Sequence, residues 1–461
     1  MDLFVFRRDL RTVDNSALSE LSPPIAYAFV ADARQTDPDV NPYHSAPAAR
    51  FMAESLADLE HSIGRQLHVF RTHAEMLDYS GWHHRIRRVA FNADHTPFAR
   101  TRDAELVGEC RARGIPVVSR DDDYSLVTPG RMPKPYLVFS PFFARYGPEA
   151  AARAVGGAAS ASAATPGHAN IGGRRLAELC ALLGGVATRA RVPRGGRRHA
   201  LAVLAQVRDG GFDDYGDSRD DMGANGGEGA TTRLSAYIKF GCVSVREVAA
   251  AALSRGPVLN PLFRELMFRS FYDQVAFHCP WVLRGEPQQR ARERSVRWRS
   301  GARADADFDA WTRGITGVPL VDAGMRQLEA TGFMHNRARM VTASYLVKDL
   351  LIDWRRGERH FATRLVDYDP SANSGGWQWV AGCGAGAMQF SRVFNPWRQA
   401  QRFDAQGAYV RRWVHELRDA SVDQLLRPDA DRPGPYPRRP IVDRAAAMRR
   451  LRDAARLMQR S

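Results

Sequence analysis

The stretch that decides the fold is residues 332–358, GFMHNRARMVTASYLVKDLLIDWRRGE. Apolar residues recur in it at helical spacing, which predicts one long amphipathic helix over Asn336–Trp354 that ends at Trp354. On both sides of this stretch, the chain beyond residue 200 has apolar residues at helical spacing and almost no alternating strand pattern. The other amphipathic segments are Ser244–Ser254, Pro261–Phe277, Leu320–Thr331 and Ala445–Met458. We therefore expect an all-α domain over residues 200–461.

The N-terminal part shows a different pattern, in which short β-branched or aromatic runs alternate with helical stretches such as Ala48–Ile63 and Arg102–Arg113. The runs are Leu3–Phe6, Ile25–Val30, His68–Phe70, Val89–Asn92 and Val117–Ser119. This alternation predicts an α/β doubly wound parallel sheet over residues 1–128, with a ligand site beyond the carboxyl ends of the strands. No GxGxxG motif follows the first strand, so the pattern does not favour ordinary NAD binding.

Residues 129–199 are predicted to connect these two domains. From about residue 149 to residue 198 the composition shifts to Ala, Gly, Ser and Arg, which is typical of a partly flexible linker. One short helix is expected near Arg175–Leu183. We favour a passive linker over a functional segment.

The chain of 461 residues is strongly basic, because 66 Lys and Arg residues against 51 Asp and Glu give a formal net charge of +15. This excess favours a polyanionic partner, first nucleic acid and second an anionic membrane surface, although a general arginine bias without a partner gives the same charge. The five cysteines are scattered and form no CxxC pair, which argues against a zinc site or a disulfide framework. No apolar run is long enough to span a bilayer, and the N-terminus has no signal-peptide pattern. We expect a soluble intracellular protein, in the cytoplasm or the nucleus, that does not bind a membrane.

Two segments carry candidate chemistry. In GATTRLSAYIKFGCVS, residues 229–244, glycines and hydroxyl side chains precede a helical run. This arrangement suits a phosphate group at a helix start, but on local evidence alone an ordinary helix cap is the favoured explanation. In DYDPSANSGGWQW, residues 367–379, acidic and amide residues precede two tryptophans spaced by one residue. Such a pair either lines a pocket for a flat aromatic ligand or packs in the core.

Six segments together resemble motifs of the photolyase/cryptochrome family, in the family's order. They are FRRDLRTVDNSAL (6–18), FNADHTPFARTRD (91–103), KPYLVFSPFFARY (134–146), TTRLSAYIKFG (231–241), the stretch 332–358 and SANSGGWQW (371–379). The resemblance covers nearly the whole chain, fades only in the Ala/Gly-rich connection, and is strongest to class I-type photolyases of cyclobutane pyrimidine dimers. It implies an FAD-binding helical domain and light-driven repair of DNA containing pyrimidine dimers, by electron transfer from excited reduced FAD.

The resemblance also implies which residues hold FAD. Those that match the stretch contacting the FAD phosphates and nearby groups are Tyr215, Thr231, Thr232, Arg233, Leu234 and Ser235. Those that match the loop against the flavin and its ribityl chain are Asp367, Tyr368 and Asp369. Asn373 matches the residue that faces flavin N5, where an amide adjusts to the reduced flavin without adding charge. The glycine-rich GANGGEG, residues 223–229, is longer than usual, which weakens the matches at Tyr215 and Arg219.

By the same resemblance, Trp377, Trp354 and Trp298 form an electron-transfer chain from the flavin towards the surface. The residues assigned to the dimer are Glu265, which hydrogen-bonds it, together with Asn336, Met340 and the aromatic wall Trp379. Phe268 stands where dimer photolyases commonly carry a second Trp wall. The residues expected at the DNA backbone are Arg219, Arg269, Arg337, Arg392 and Gln399. Contacts of this kind give affinity and register, while the lesion itself is flipped out of the base stack.

Other assignments stay open. In the sheet domain Phe98 and Ala99 replace polar residues that contact folate in folate-type members, which argues against a folate antenna and leaves a deazaflavin, a flavin or no antenna. The alternatives to dimer repair are a cryptochrome-type blue-light photoreceptor, a DASH-type photolyase acting on single-stranded DNA, and non-catalytic binding of damaged DNA. The absence of a tail after the last predicted helix, together with Glu265, Asn336 and Met340, argues against the photoreceptor. We expect a monomer.

Overall fold

The computed structural model has a sheet-containing N-terminal half and a helical C-terminal half. It describes residues 1–80, 82, 85–157, 173–185, 188, 190–224, 231–256, 260–290, 293, 296–387 and 389–459. The largest apolar cluster runs from Phe4 and Phe6 in the sheet to Phe263 and Phe271 in the helical half. The two halves therefore share a core, and a second cluster lies within the helical half.

The sheet has five parallel strands in the order β3-β2-β1-β4-β5. The strands are β1 Asp2–Phe6, β2 Ile25–Val30, β3 His68–Phe70, β4 Arg88–Asn92 and β5 Val117–Arg120. All five residues of strand β1 are buried. The strand is central because it pairs with β2 on one side and β4 on the other, so that Asp2 lies opposite both Ile25 and Arg88. The chain order reverses between β1 and β4, so the doubly wound prediction is confirmed. The carboxyl ends of these two strands lead directly to Arg8 and Asp94.

Helices cover both faces of this sheet. They are Ala33–Thr36, Ala46–Ile63, His73–Leu77 and Pro97–Ala112. The longest begins after Ser45, whose Oγ accepts the N–H of Ala48 at 3.3 Å, and it ends at Gly64 with a φ of 63°. A side-chain cap at the start and a left-handed glycine at the end are the usual sequence limits of a helix. These limits place the helix where the sequence pattern predicts it.

The described part of the predicted connection is built into the core. It holds two helices, Phe139–Gly157 and Gly173–Leu182, the second at the predicted place, while residues 158–172 lie outside the described residues. In the first helix Ala150, Ala151 and Ala154 are buried, and this helix packs against Val245–Leu253. Short alanine side chains allow helices to approach closely, so the alanine-rich composition reflects packing in this segment.

The C-terminal half is helical throughout the part that the structure describes. The helices are Arg197–Arg208, Tyr215–Ser218, Ser235–Lys239, Val245–Leu253, Pro261–His278, Ala302–Thr312, Pro319–Thr331, Asn336–Ser344, Trp354–Arg364, Pro370–Ala381, Pro396–Phe403, Ala408–Trp413, Val422–Leu426 and Arg444–Gln459. The all-α prediction is confirmed. Among the described residues, no helix is both long and apolar enough to cross a membrane.

The prediction of one continuous helix over Asn336–Trp354 is wrong. The α-helix ends at Ser344 and continues as a π-helical turn over Tyr345–Asp349. Leu351 then has a φ of 53°, which breaks the helix. The Asp353 side chain accepts the N–H of Arg355 at 2.9 Å and caps a new helix. Trp354 therefore begins a helix instead of ending one.

Candidate functional site

The run Thr231–Ser235 turns sharply before a short helix. Arg233 has a φ of 53°, and the Thr232 hydroxyl accepts the N–H of Leu234 at 3.4 Å. The Thr231 hydroxyl is buried and has no hydrogen-bond partner among the described residues. Buried polar atoms are nearly always paired, so this hydroxyl is available to a partner beyond the described residues, such as a bound ligand. The glycine-rich residues 225–230 that precede the run lie outside the described residues.

A ring with two arginines over it connects this run to the predicted flavin loop. The guanidinium carbon of Arg233 lies 4.8 Å from the centre of the Phe333 ring, and that of Arg339 lies 5.4 Å from it. Arg339 also donates to both carboxylate oxygens of Asp367, at 3.0 and 2.9 Å. Both hydrogen bonds come from Nη2 of Arg339, and such charge-assisted bonds are stronger than those between neutral groups. Arg233, predicted to lie at the FAD phosphates, is thus connected through Phe333 and Arg339 to Asp367, predicted to lie at the flavin side.

Asp369 lies at the junction of the two halves of the chain. It caps the helix that begins at Pro370 and pairs with Arg269 at 2.8 Å and with Arg8 at 3.3 Å. Burial alone raises the pKa of Asp369, but Arg269 and Arg8 outweigh it and hold the pKa well below its usual value. Arg8 comes from the end of β1 and also pairs with Asp94 at 2.7 Å. The loop predicted to face the flavin is therefore anchored to the sheet.

The same contacts change the interpretation of Arg269. Its side chain is only 14% exposed and points to Asp369, away from solvent. A guanidinium that forms an ion pair with a buried carboxylate is poorly placed to neutralise a DNA phosphate. Arg269 thus differs from Arg219 and Arg337 in its partner, since Asp369 is 6% exposed whereas Glu265 and Asp220 are 34% and 28% exposed.

Asn373 lies in the first turn of the helix Pro370–Ala381. Its amide Nδ2 donates to the Oε1 of Glu358 at 2.9 Å and to the backbone oxygen of Glu358 at 3.2 Å. Because Nδ2 is occupied in this way, the amide oxygen is the end of the side chain left for a ligand. Burial raises the pKa of Glu358. Next to it, the ring of Tyr368 stacks on Tyr43 with a centre-to-centre distance of 6.2 Å.

The three tryptophans predicted to carry electrons lie in different environments. Trp377 is buried against Phe361, with ring centres 5.0 Å apart. A Cβ on Gly357 would lie 2.2 Å from Trp377, so the glycine allows this ring to approach within one turn of Trp354. Trp354 is 1% exposed, whereas Trp298 is half-buried. Exposure thus increases along the predicted chain from Trp354 to Trp298.

Two adjacent residues, Arg219 and Asp220, bring the predicted lesion residues together. Arg219 pairs with Glu265, and Asp220 pairs with Arg337. Nη1 of Arg337 lies 3.8 Å from the sulfur of Met340. Glu265 and Met340 come from helices that are distant in sequence, so this dipeptide joins them at one site. The side chain of Glu265 remains 34% exposed, which leaves it accessible to a ligand.

The other predicted substrate residues differ in their surroundings. Asn336 is exposed at the first position of its helix, and Trp379 lies 6.2 Å from Phe394, measured between ring centres. Arg392 is exposed, and the side-chain oxygen of Gln399 is buried without a partner among the described residues. The half-buried Tyr215 has its pKa raised to about 12 by burial. All of these residues remain candidates for ligand contact.

Phe268 is engaged by its own protein. Its ring stacks on Phe139 with centres 3.5 Å apart and planes 9° from parallel. The guanidinium of Arg264 lies over both rings, at 4.9 Å from Phe139 and 5.7 Å from Phe268. One face of Phe268 is therefore occupied by a protein ring, so its contribution to a lesion pocket is limited to the rest of its surface.

Sequence reasoning missed several residues of this site. Arg339, Glu358 and Arg8 lie inside the quoted motifs but were given no role, although each contacts a predicted flavin residue. Their charge could have indicated a role, because a charged residue in a segment that is expected to be buried needs a partner of opposite charge or a hydrogen-bonding group. Which partner it takes depends on the fold.

The arrangement fits FAD. The Thr231 hydroxyl, which has no partner within the described part of the chain, and the turned backbone at Arg233 suit a pyrophosphate. A Cβ placed on Gly376, one turn beyond Asn373, would have no atom within 4 Å, so open space adjoins that amide. Such space suits a flat ring system next to Asn373.

A doubly wound sheet domain joined to a helical domain with this site defines a two-domain flavin-binding protein. Residues 3–157 match the family model described as DNA photolyase, and residues 262–457 match the one described as FAD binding domain of DNA photolyase. The deoxyribodipyrimidine photo-lyase of Halobacterium salinarum is 32% identical over 100% of this chain and 99% of its own length. The chain belongs to the photolyase/cryptochrome family, and its cofactor is FAD.

A second relative and a solved structure show how much of the chain is similar to known photolyases. The deoxyribodipyrimidine photo-lyase of Salmonella typhimurium is 42% identical over 53% of this chain and 53% of that enzyme, so this match spans about half of its length. The crystal structure of an archaeal photolyase from Sulfolobus tokodaii, with two FAD molecules, has a TM-score of 0.81 and 31% identity. That comparison covers 99% of this chain and 100% of the other. The assignment to class I stays a prediction.

Replacing Arg339 by methionine is expected to weaken FAD binding. The change leaves the Asp367 carboxylate, whose side chain is 3% exposed, without its partner. Loss of one member of a fully buried pair costs about 3–5 kcal/mol, and the cost here is smaller because the Arg339 side chain is 27% exposed. FAD release, followed by its fluorescence during dilution, measures the effect. Arg356→Met is the control, since Arg356 pairs with the exposed Asp305, and equal FAD affinity in both variants would contradict the assignment.

Proposed function

We propose that this protein repairs cyclobutane pyrimidine dimers in DNA in a light-dependent reaction. The observation that carries the proposal is the cluster in which Arg219 and Asp220 hold Glu265 and Arg337 together. This cluster combines an accessible carboxylate for a base with arginines for the neighbouring phosphates. The names of the Halobacterium and Salmonella relatives, deoxyribodipyrimidine photo-lyase, support the same activity.

The bound cofactor supplies the difficult chemistry: reduced FAD, excited by blue light, provides an electron that opens the cyclobutane ring and then returns. The protein holds the cofactor and sets its surroundings. Thr231 and Arg233 would bind the pyrophosphate, and Asp367 would be held in place by Arg339. Asn373 presents its amide oxygen to the flavin because Glu358 binds the other end of the amide.

The lesion would be held by residues from three helices. Glu265 hydrogen-bonds the dimer, and Asn336 and Met340 line the pocket beside it. Trp379 provides an aromatic wall, braced by Phe394 at 6.2 Å between ring centres. Flipping the dimer out of the stack costs less than flipping an intact base pair, because the damaged bases are already poorly stacked and paired.

Basic residues near this pocket would bind the DNA backbone. Arg392 is exposed, and Arg219 and Arg337 both pair with carboxylates that a phosphate can replace. The side-chain oxygen of Gln399 has no partner among the described residues and would accept a further contact. Binding through such contacts releases counterions, so affinity should fall steeply with salt.

Trp377, Trp354 and Trp298 would keep the cofactor reduced. Indole rings can relay an electron in short hops, and the burial of Trp377 and Trp354 excludes water from the inner part of the route. This relay is separate from the repair step. It would reactivate protein whose flavin has become oxidised.

The sheet domain offers little to a folate antenna. The ring of Phe98 lies under the guanidinium groups of Arg34 and Arg102, at 5.4 and 5.6 Å, and Ala99 is buried. Neither of these two positions therefore presents a polar side chain to a folate. A deazaflavin, a flavin or no antenna stay open, and chromatography of the chromophores released from the purified protein identifies which one is bound. A monomeric state likewise stays a prediction.

The test of the proposed function uses photoreduced protein and an oligonucleotide with one cyclobutane thymine dimer. Blue light should restore the thymine absorbance, while a dark control and a (6-4) photoproduct should show no recovery. Repair of the dimer alone supports the assignment of Glu265, Asn336 and Met340. No recovery on either lesion, despite bound and photoreducible FAD, would contradict it and favour a light sensor.

A further inference from the structure

The indole nitrogens of Trp354 and Trp298 have opposite surroundings. Trp354 is 1% exposed, and its Nε1 has no hydrogen-bond partner among the described residues. The half-buried Trp298 instead donates its Nε1–H to the Oε1 of Glu293 at 3.2 Å. Only the outer ring of this pair therefore has a base in contact with its N–H group.

Charge distribution favours the same ring. The guanidinium carbon of Arg355 lies 4.8 Å from the centre of the Trp354 ring, a favourable contact while the indole is neutral. A positive charge on Trp354 would turn this attraction into repulsion. A positive charge on Trp298 would instead lie against the Glu293 carboxylate. The two charged residues thus make an oxidised ring less favourable at Trp354 and more favourable at Trp298.

Glu293 is held in place for this role. Arg355 donates to the Oε1 of Glu293 at 2.7 Å, and its Nε donates to the backbone oxygen of Gly285 at 2.6 Å. Asp353 also pairs with Arg355, at 3.1 Å. The Glu293 side chain is 13% exposed, so its orientation is set by these contacts. The carboxylate is therefore preorganised towards the indole.

We propose that Glu293 is the proton acceptor of Trp298 during flavin photoreduction. The proposal rests on the tryptophan relay of the proposed function, in which the light-excited oxidised flavin is the oxidant. Trp298 gives one electron to oxidised Trp354. Its N–H bond then breaks, the proton forms an O–H bond on Glu293, and a neutral indole radical remains. Loss of the proton removes the positive charge that would draw the electron back.

Lys348 is another buried titratable group in this region, and its geometry excludes it from this step. Its Nζ donates to the backbone oxygen of Phe390 at 2.9 Å and lies over the Phe390 ring. Phe390 separates it from Trp298, since the two rings meet edge to face at 6.3 Å. Glu293 is the group that touches the indole nitrogen.

Glu293→Gln tests the proposal, because the amide keeps the shape of the side chain but cannot accept a proton. Flash excitation of protein with oxidised FAD is followed by transient absorption, which separates the cation radical of tryptophan from the neutral radical. We expect deprotonation of Trp298 to slow on the order of 100-fold, the scale of a positioned general base. Glu286→Gln is the matched control, since Glu286 pairs with Arg290 on the same segment and should leave this rate unchanged. An unchanged rate in Glu293→Gln would overturn the proposal.

The unmodified protein provides a second measurement that does not depend on a variant folding. With Glu293 as the acceptor, the deprotonation rate should not change with buffer concentration. A rate proportional to buffer concentration would overturn the proposal, because the proton would then go to solvent. Trp298→Phe separates this outcome from failure of the relay itself. If that variant keeps the long-lived radical, the relay is wrong, whereas loss of the radical confirms Trp298 as its site.

Discussion

Replacing Glu265 by alanine is expected to slow light-driven repair on the order of 100-fold, the typical effect of removing one hydrogen-bonding group from a site where charge develops. Binding of dimer-containing DNA should change far less. The reason lies in the Arg219–Glu265 pair, which the substitution breaks. Arg219 is then available to a phosphate, which offsets the lost contact to the dimer.

Repair is measured as the quantum yield under blue light with photoreduced protein, and binding by titration with dimer-containing DNA in the dark. Glu265→Gln should recover part of the repair, because an amide can still hydrogen-bond the dimer. Asp213→Asn is the control, since it alters a surface pair with Arg255. If repair and binding fall by the same factor, Glu265 acts in binding alone.

The architecture could be predicted from sequence because its signals are local. Strands β2 and β3 have the predicted bounds, and the other strands differ by one residue at one end. Short β-branched runs between helical stretches have few alternative arrangements in an open parallel sheet. The starts of helices also have local signals. Asn260 precedes Pro261, and its side chain accepts the backbone N–H groups of Leu262 and Phe263.

The break between Ser344 and Trp354 could not be predicted in this way. The segment YLVKDLLI keeps an apolar pattern through the π-helical turn, so side-chain periodicity does not report the change in backbone geometry. The positive φ falls on Leu351, a residue type without a preference for it. Tertiary packing of a buried segment imposes this conformation. As a consequence, Trp354 stands at the start of a helix, where Arg355 can lie over its ring.

Side-chain directions at the candidate site were also beyond the sequence. The motif matches place Arg269 on the helix that carries Glu265, but its long side chain turns inward to Asp369. Phe268 likewise stacks on Phe139, a residue more than a hundred positions away in sequence. A family motif fixes the element and the position of a residue, whereas its partner depends on which other element packs against it.

Replacing Gly357 by alanine is expected to destabilise the helical domain by about 2–3 kcal/mol, which is the scale of overpacking in a filled core. A Cβ at this position would lie 2.2 Å from Trp377 and 2.6 Å from the Leu346 side chain. Both residues are buried, so neither can move aside without disturbing its neighbours. Alanine favours a helix over glycine by about 1 kcal/mol, and the clash exceeds this gain. Trp377 must shift away from Trp354, so photoreduction should slow as well.

Urea unfolding of the apo-protein, followed by circular dichroism, measures the loss of stability without a contribution from bound FAD. Gly108→Ala is the matched control, because Gly108 lies exposed within the helix Pro97–Ala112 and has no atom within 4 Å of the added carbon. It should gain up to about 1 kcal/mol from helix propensity alone. The two substitutions are chemically identical, so the opposite signs of their expected effects on the free energy of unfolding come from packing. A Gly357→Ala protein as stable as Gly108→Ala would show that Trp377 does not lie against this helix, and the relay through Trp354 would lose its structural basis.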